Sequence, residues 1–223
     1  MLVLGHRGAP RRERENTLAS FGRALELGAD GVELDVRMTA DGMLALRHDD
    51  GFASGERVST STLEDIRRLE PAVPLLAEAL DVMLPGVCVV EMKTQPGRNG
   101  PFCDAVASVL ATREQRIVVS SFDPTILRRM RVLLPALRTA LLVGMVSSDE
   151  ERDAMIVEAR DAGHAEMHVA RRVLGGDTGG GWFSAGLDVV AWTVNDAAEV
   201  AALRDRGLFA VITDVPDEVA AAL

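Results

Sequence analysis

Short apolar runs alternate with longer amphipathic segments along this chain. Nine of the runs are rich in Val, Ile and Leu and end at polar or turn residues, which predicts β-strands. The predicted strands span residues 2–6, 31–38, 43–48, 87–93, 116–122, 139–144, 166–171, 188–194 and 210–215. Segments with apolar residues at helical spacing separate most of these strands, and this alternation is typical of βα units around a parallel sheet.

The third strand, 43–48, follows its predecessor too closely for a parallel crossover, which needs a dozen or more residues. It is therefore predicted to return antiparallel, as a hairpin. The eight remaining strands match the number that closes a TIM barrel. The predicted fold is α/β: a (β/α)8 TIM barrel with an extra antiparallel hairpin strand after strand 2. No linker rich in Pro, Gly or Ser divides the chain, so residues 1–223 are predicted to form a single barrel domain.

Composition narrows the possible partners and the location. The net charge of −10 and the pI near 4.9 argue against nucleic acid as a partner. The apolar start, MLVLGH, is too short for a signal peptide, and no later run has the length of a membrane-spanning helix. We expect a soluble, cytoplasmic protein without stable membrane insertion. Cys88 and Cys103 lack the spacing of a metal or redox site and are expected to be free, packed thiols.

Polar side chains are concentrated at the C-terminal ends of the first three barrel strands, where the active sites of TIM barrels lie. Residues two apart on a strand share one face, so the polar pairs on the second and third barrel strands each project from one face, while the pair on the first strand lies at its end. The chain also has one lysine among its 24 basic residues, and it lies in this set. The residues are His6, Arg7, Glu33, Asp35, Glu91 and Lys93.

The hairpin is predicted to add a second histidine. If its turn centres on Ala40 and Asp41, Asp35 and His48 lie opposite each other, and the returning strand brings His48 to the level of the carboxylates. Glu15 and Asn16, after the loop that follows the first strand, return to the same rim. Gly8 permits this loop to approach closely.

These residue types together favour one chemistry. Three adjacent carboxylates repel unless a cation neutralises them, and hard oxygen ligands suit Mg²⁺ or Ca²⁺. Two histidines can divide the roles of general acid and base, while an arginine and a lysine can bind a phosphate. The set predicts metal-assisted phosphodiester cleavage. Taken singly, each residue has an ordinary alternative: a strand glutamate can belong to a core ion pair, and residues 15–17 can simply cap a helix.

Several motifs resemble the glycerophosphodiester phosphodiesterase family. They are HRG on the first strand, ENT before the first helix, GADGVELDVRMTADG, RHD and EMK, followed by SSFDP, AWTVND and AVITDVP. The resemblance extends nearly from end to end. It implies a hydrolase of lipid and glycerol metabolism, which cleaves glycerophosphodiesters to glycerol 3-phosphate and an alcohol.

The resemblance also implies roles for individual residues. His6 and His48 are implied as the catalytic acid and base pair, and Arg7 as a phosphate contact. A divalent cation is implied on Glu33, Asp35 and Glu91. In the substrate site, Lys93 is implied near the phosphate and Trp192 in the pocket wall, with Glu15 and Asn16 at its rim. Glu15 is either a further metal ligand or a residue that orients Arg7.

Three other functions compete with this prediction. A lysophospholipase D acting on single-chain lipids would use similar residues, but it needs an apolar groove. A phosphate-binding barrel without catalysis is expected to lack a histidine or a carboxylate, yet every expected position is filled. An enolase-type barrel that abstracts a carbon-bound proton has no evident use for His6, Arg7 and a second histidine.

Overall fold

The structure is a computed structural model that describes residues 1–83, 86–175 and 177–223, with the backbone alone for residues 177–180. Its strands are β1 (Leu2–His6), β2 (Gly31–Met38), β3 (Leu44–Leu46), β4 (Val87–Met92), β5 (Ile117–Ser121), β6 (Arg138–Val143), β7 (Glu166–Ala170), β8 (Asp188–Trp192) and β9 (Ala210–Thr213). Two of them, β1 and β2, have the bounds predicted from the sequence. The ends of the others lie within two residues of the prediction.

Helices connect most of the strands, as the amphipathic segments predicted. They are α1 (Leu18–Glu26), α2 (Leu63–Leu69), α3 (Leu76–Val82), α4 (Asn99–Leu110), α5 (Pro124–Leu133), α6 (Asp149–Asp161), α7 (Arg171–Leu174), α8 (Ala197–Asp205) and α9 (Pro216–Ala221), with 3₁₀ helices at Val58–Thr60 and Asp177–Ser184. Side-chain caps fix several starts: Thr17 accepts from the Ser20 amide at α1, and Asp123 accepts from the Thr125 amide at α5. Among the described residues, no helix combines the length and the apolar character needed to cross a membrane.

The strand order confirms the predicted barrel. Seven parallel pairings join eight of the described strands in the order β2, β4 to β9 and then β1. An eighth parallel pairing, between β1 and β2, closes the ring. The ninth strand, β3, pairs antiparallel with the end of β2 and lies outside the ring. This is the (β/α)8 TIM barrel with the extra hairpin strand.

Two apolar layers support the ring. Side chains inside the barrel form one cluster that includes Leu4, Val89 and Ile212. The larger cluster lies between the strands and the helices, and Cys88 belongs to it together with the outward-facing residues of β4. Because apolar residues fill the barrel interior, the polar side chains are left at the C-terminal ends of the strands.

The hairpin register differs from the prediction by one residue. Val36 pairs with Leu46, so Asp35 lies opposite Arg47, whose amide donates to the Asp35 carbonyl at 3.0 Å. The prediction that Asp35 faces His48 is therefore wrong. The turn is centred on Asp41, because the Thr39 amide bonds to the Met43 carbonyl at 2.9 Å. The strand ends at Leu46, and His48 belongs to the loop that follows.

Candidate active site

His6 is the last residue of β1 and is held from the opposite end of the chain. Its Nδ1 lies 2.7 Å from Oδ1 of Asp214, the residue after β9. The other oxygen of Asp214 accepts a hydrogen bond of 2.8 Å from the Asn195 amide. Burial works to lower the pKa of His6, but the bond to Asp214 and the nearby Glu33 carboxylate outweigh it, so the pKa is raised. The contact also fixes the orientation of the imidazole ring.

Arg7 connects the first strand to the carboxylates of the second. Its backbone has φ 52°, in the left-handed region, and its amide donates to Glu33 Oε2 at 3.1 Å. Its Nε lies 3.1 Å from Asp35 Oδ2, and its Nη1 donates to both oxygens of Glu15 at 3.0 Å. Of the two contacts that the sequence left open for Glu15, the structure shows the one with Arg7.

The loop after Arg7 turns back sharply, and Gly8 makes this possible. Its φ is +93°, and a Cβ atom at this position would lie 2.6 Å from the backbone carbon of Ser20. Only glycine fits such an approach without displacing the helix. The close packing brings the start of α1, and with it Asn16, to the strand ends.

Three buried carboxylates form the centre of the site. One oxygen from each of Glu33, Asp35 and Glu91 can be chosen so that all three lie within 4.8 Å of one another. Burial and the Asp35 charge raise the pKa of Glu33 to about 8, and burial also raises that of Glu91. Burial works in the same direction on Asp35, but Lys93 and Arg7 outweigh it and lower its pKa. Such a set of hard oxygen donors fits a divalent cation such as Mg²⁺ or Ca²⁺, whose charge would allow all three groups to ionise.

Two further predicted residues contact this cluster. The Nζ of Lys93 lies 2.8 Å from Asp35 Oδ1 and also contacts Glu91. Asn16 uses both ends of its amide on Asp35: its Nδ2 donates to Asp35 Oδ2 at 2.8 Å, and its Oδ1 accepts from the Asp35 backbone amide at 3.1 Å. Together with Arg7, these two residues hold the Asp35 carboxylate in place.

His48 lies at the rim, in the loop after β3. Its side chain is 38% exposed, and its Nδ1 is 2.8 Å from Asp49. Arg37, two residues after Asp35 on β2, donates to the His48 carbonyl from Nε at 2.8 Å and from Nη2 at 2.6 Å. Burial is the main cause that lowers the pKa of His48, although the Asp35 charge opposes it. The two histidines thus have pKa values shifted in opposite directions.

Trp192, the last residue of β8, is in the wall of the same site. Its Nε1 donates to the carbonyl of His168 at 2.9 Å, and its ring meets Phe122 edge to face with centroids 5.8 Å apart. Trp192 lines a small cavity together with His6, Glu33 and Glu91. The structure therefore brings the predicted residues of the barrel strands together, and it places His48 at the rim of the site.

Comparison with known families identifies the class of barrel. The model of the glycerophosphoryl diester phosphodiesterase family matches residues 6–218, which is nearly the whole chain. The chain belongs to this family. The match confirms the family predicted from HRG, ENT and the later motifs, and with it the prediction of a phosphodiesterase enzyme.

Other members of the glycerophosphoryl diester phosphodiesterase family match this chain along its length. A glycerophosphodiester phosphodiesterase of Caldanaerobacter subterraneus subsp. tengcongensis is 29% identical over 237 residues, covering 97% of this chain and 95% of its own. An Oleispira antarctica phosphodiesterase, solved in complex with the product sn-glycerol-3-phosphate, has a TM-score of 0.89 at 25% identity and covers 100% of this chain and 96% of its own. The Thermotoga maritima glycerophosphodiester phosphodiesterase shares the fold, with a TM-score of 0.87 at 23% identity over 100% and 98% of the two chains.

Three residues that contact the site of this family member had no predicted role. Asp214 and Asn195 hold His6, and Arg37 holds the His48 loop. Arg37 had a signal that could have been used, because it shares a face of β2 with Glu33 and Asp35. For Asp214 the signal was a carboxylate directly after a barrel strand, in AVITDVP.

Proposed function

We propose that this protein hydrolyses glycerophosphodiesters to glycerol 3-phosphate and an alcohol with one divalent cation, Mg²⁺ or Ca²⁺. The observation that carries the proposal is the buried cluster of Glu33, Asp35 and Glu91, with a histidine, an arginine and a lysine around it. The Oleispira relative was solved with sn-glycerol-3-phosphate, which supports a small glycerophosphodiester as the substrate.

The three carboxylates are the residues that would hold the cation. When bound, it would neutralise charge on the phosphate as a Lewis acid. Arg7 and Lys93 supply further positive charge, since both already point at Asp35 and keep their protons: their pKa values are raised by the carboxylates although burial opposes this. Trp192 forms the wall of the substrate pocket, while Glu15 and Asn16 orient Arg7 and Asp35 at its rim.

His6 and His48 divide the proton transfers. One histidine removes a proton from the attacking oxygen, and the other donates a proton to the oxygen of the departing alcohol. The support for this division is the opposite direction of their pKa shifts, because an acid and a base at one pH need different proton affinities.

The attacking oxygen is the substrate's own glycerol 2-hydroxyl. Its attack on phosphorus expels the alcohol and leaves a cyclic glycerol phosphate, which water then opens to glycerol 3-phosphate. A glycerophosphocholine analogue with hydrogen in place of the 2-hydroxyl tests this route. Loss of its turnover is the expected result, and unchanged turnover would mean that water attacks directly.

The experiment that tests the function measures glycerol 3-phosphate released from glycerophosphocholine and glycerophosphoethanolamine, with Mg²⁺, with Ca²⁺ and with EDTA. We expect metal-dependent release that His6→Ala abolishes. His164→Asn is the matched control, because His164 is also a buried histidine but contacts Thr139 and not the site. Release unaffected by EDTA would contradict the metal's role, and no release with any metal would favour a phosphate-binding barrel.

We also propose that the protein works in the cytoplasm. Cys88 and Cys103 are both free and buried, as expected for a chain that folds in a reducing compartment. Activity assays on separated cell fractions test the location. Recovery of the activity outside the cytoplasmic fraction would overturn it.

A further inference from the structure

A small cavity of about 20 Å³ extends from the catalytic groups into the barrel. His6, Glu33 and Glu91 line it on the side of the proposed chemistry, and Ser120 and His168 line it on the side of strands β5 and β7. A space of this size holds one oxygen atom with its hydrogen, as in a water molecule or a hydroxyl group.

Two polar atoms in the lining have no hydrogen-bond partner among the described residues: the Ser120 hydroxyl and His168 Nδ1. Both residues are buried: Ser120 is 1% exposed and His168 is 0% exposed. Both belong to strand positions that alternate with residues of the outer apolar cluster, so they face the barrel interior. Buried polar atoms without partners are rare in folded proteins, and two in one cavity indicate that a water molecule or a ligand hydroxyl bonds to them there.

The hydrogen bonds of His168 define which kind of group it can bind. Its Nε2 lies 2.9 Å from Glu166 Oε2, while Glu166 Oε1 accepts from Arg138 at 3.0 and 3.1 Å. The arginine keeps Glu166 ionised, so its carboxylate accepts a hydrogen bond from Nε2–H, and in the neutral ring this leaves Nδ1 as an acceptor. Ser120 can donate or accept. A hydroxyl group placed between them could donate a hydrogen bond to His168 Nδ1 and accept one from the Ser120 hydroxyl.

We propose that this cavity binds the terminal hydroxyl of the substrate's glycerol moiety, and that Ser120 and His168 select substrates in which that hydroxyl is free. The inference rests on the proposed function, in which the 2-hydroxyl attacks the phosphate and the terminal hydroxyl remains to be bound. Because the cavity has room for one oxygen atom only, a fatty acyl chain on that hydroxyl does not fit. The enzyme therefore acts on deacylated glycerophosphodiesters in preference to lysophospholipids.

The test compares three substrates by one readout, the release of choline. They are glycerophosphocholine, 1-palmitoyl lysophosphatidylcholine and 2-hydroxyethyl phosphocholine, which keeps the hydroxyl next to the phosphoester carbon but lacks the terminal one. The native enzyme should prefer glycerophosphocholine to both others by about tenfold or more in kcat/KM. Ser120→Ala should lower kcat/KM about tenfold for glycerophosphocholine and leave it unchanged for 2-hydroxyethyl phosphocholine. His168→Asn should show the same pattern.

Folding is not a confounding factor for Ser120→Ala, because the change replaces an unpaired buried hydroxyl by hydrogen. His164→Asn controls for the loss of a buried histidine: His164 also has one ring nitrogen without a partner among the described residues, but it does not line the cavity. It should leave the ratio between substrates unchanged.

An equal loss on both water-soluble substrates in Ser120→Ala would overturn the proposal, because a bound water or a structural role would then explain the cavity. Native turnover of the lysolipid equal to that of glycerophosphocholine would overturn it too. If the native enzyme releases no choline from any substrate, the proposed function fails instead. Calorimetry then tests the inference separately. We expect sn-glycerol 3-phosphate to bind more tightly than 2-hydroxyethyl phosphate, and equal binding would refute the inference.

Discussion

Arg7 and Asn16 have φ values of 52° and 55°, and both contact Asp35 with their side chains. A residue other than glycine in this region costs about 1–3 kcal/mol and persists only where its surroundings hold it. Here the carboxylates of Asp35 and Glu15 hold Arg7. The carboxylate and the backbone amide of Asp35 hold Asn16. The backbone strain is therefore located where it orients the residues that surround the proposed cation.

Replacing Asn16 by alanine should weaken metal binding. Asp35 would lose one side-chain and one backbone partner, and partners of this kind typically change metal affinity by about 10- to 100-fold. Activity measured against Mg²⁺ and Ca²⁺ concentration gives the apparent affinity. Asn99→Ala is the control, because the Asn99 amide bonds to Asp123, outside the carboxylate cluster. Equal metal affinity in both variants would contradict the role of Asn16.

Replacing Asp214 by asparagine should change the pH dependence of the enzyme. The carboxylate raises the pKa of His6, so its loss lowers that pKa. The limb of the pH–rate profile that belongs to His6 should move to lower pH, whether His6 acts first as acid or as base. We expect kcat to fall at least about tenfold as well, since the ring loses the partner that orients it. A profile that does not move would show that Asp214 does not tune His6.

The residues whose positions follow from strand alternation could be predicted from the sequence. On β2 these are Glu33 and Asp35, and on β4 they are Glu91 and the following Lys93. Each pair lies on one face, and the two strands are parallel neighbours in which Asp35 pairs with Glu91. Asp214 could not be found in this way, because its bond to His6 joins residues 208 positions apart. Such a contact depends on closure of the ring, which no local pattern reports.

At the scale of elements, the hairpin and its loop determine where the second histidine lies. The strand β3 ends at Leu46, two residues before His48, and the bonds from Arg37 to the His48 carbonyl continue the attachment beyond the strand. The period-two pattern in MLALRH predicted the strand but not its last residue. Before Val36, which pairs with Leu46, the same edge of β2 is taken by β1, which pairs with residues 31–33, and this limit on β3 depends on closure of the ring.

Arg37→Met should release this loop. The two charge-assisted hydrogen bonds are lost, and bonds of this type contribute about 1.5–3 kcal/mol. We expect kcat to fall about tenfold or more, and the free energy of unfolding to fall by about 1.5–3 kcal/mol. Arg57→Met is the matched control, because Arg57 pairs with Asp50 next to the same loop but is 61% exposed. A similar kcat in both variants would mean that Arg37 does not position His48.

The junction between β1 and α1 should be sensitive to a single methyl group. Gly8→Ala places a Cβ atom 2.6 Å from the Ser20 backbone and requires a positive φ, so we expect a loss of about 1–3 kcal/mol or more in the free energy of unfolding. Gly22→Ala is the opposite case, because a Cβ there meets nothing within 4 Å and Gly22 lies inside α1. It should stabilise the protein by about 0.5–1 kcal/mol. Urea denaturation of both variants measures the difference, and equal stabilities would contradict the close-packing argument.

At the scale of the whole molecule, the barrel carries a cluster of three buried carboxylates that Arg7 and Lys93 balance in part. The period of the strands and helices predicted the ring, its number of strands and the extra hairpin. The net charge of −10 did not predict the local balance, in which Arg7 and Lys93 face three carboxylates. Local balance depends on which strands become neighbours.

Stability should depend on pH and on metal together. Without metal, the pKa of Glu33 is about 8 in the folded state and near its ordinary value of 4.5 in the unfolded state. The folded state then binds more protons, so the free energy of unfolding falls as pH rises from about 4.5 to about 8. The melting temperature in EDTA should decline over this range more steeply than that of Glu33→Gln. Mg²⁺ or Ca²⁺ should raise it most at the upper end, and an equal rise at pH 5 and pH 8 would contradict the assignment.

The pairing of β1 with both β2 and β9 has a consequence for when the protein becomes active. Ribosomes add residues at about 5–20 per second, so roughly ten seconds or more separate the synthesis of His6 from that of Asp214. During this interval β1 lacks its second neighbour, and His6 lacks the carboxylate that orients it. Under the catalytic role proposed for His6, the nascent chain therefore reaches its native rate of hydrolysis only after β9 has docked against β1 and the ring has closed.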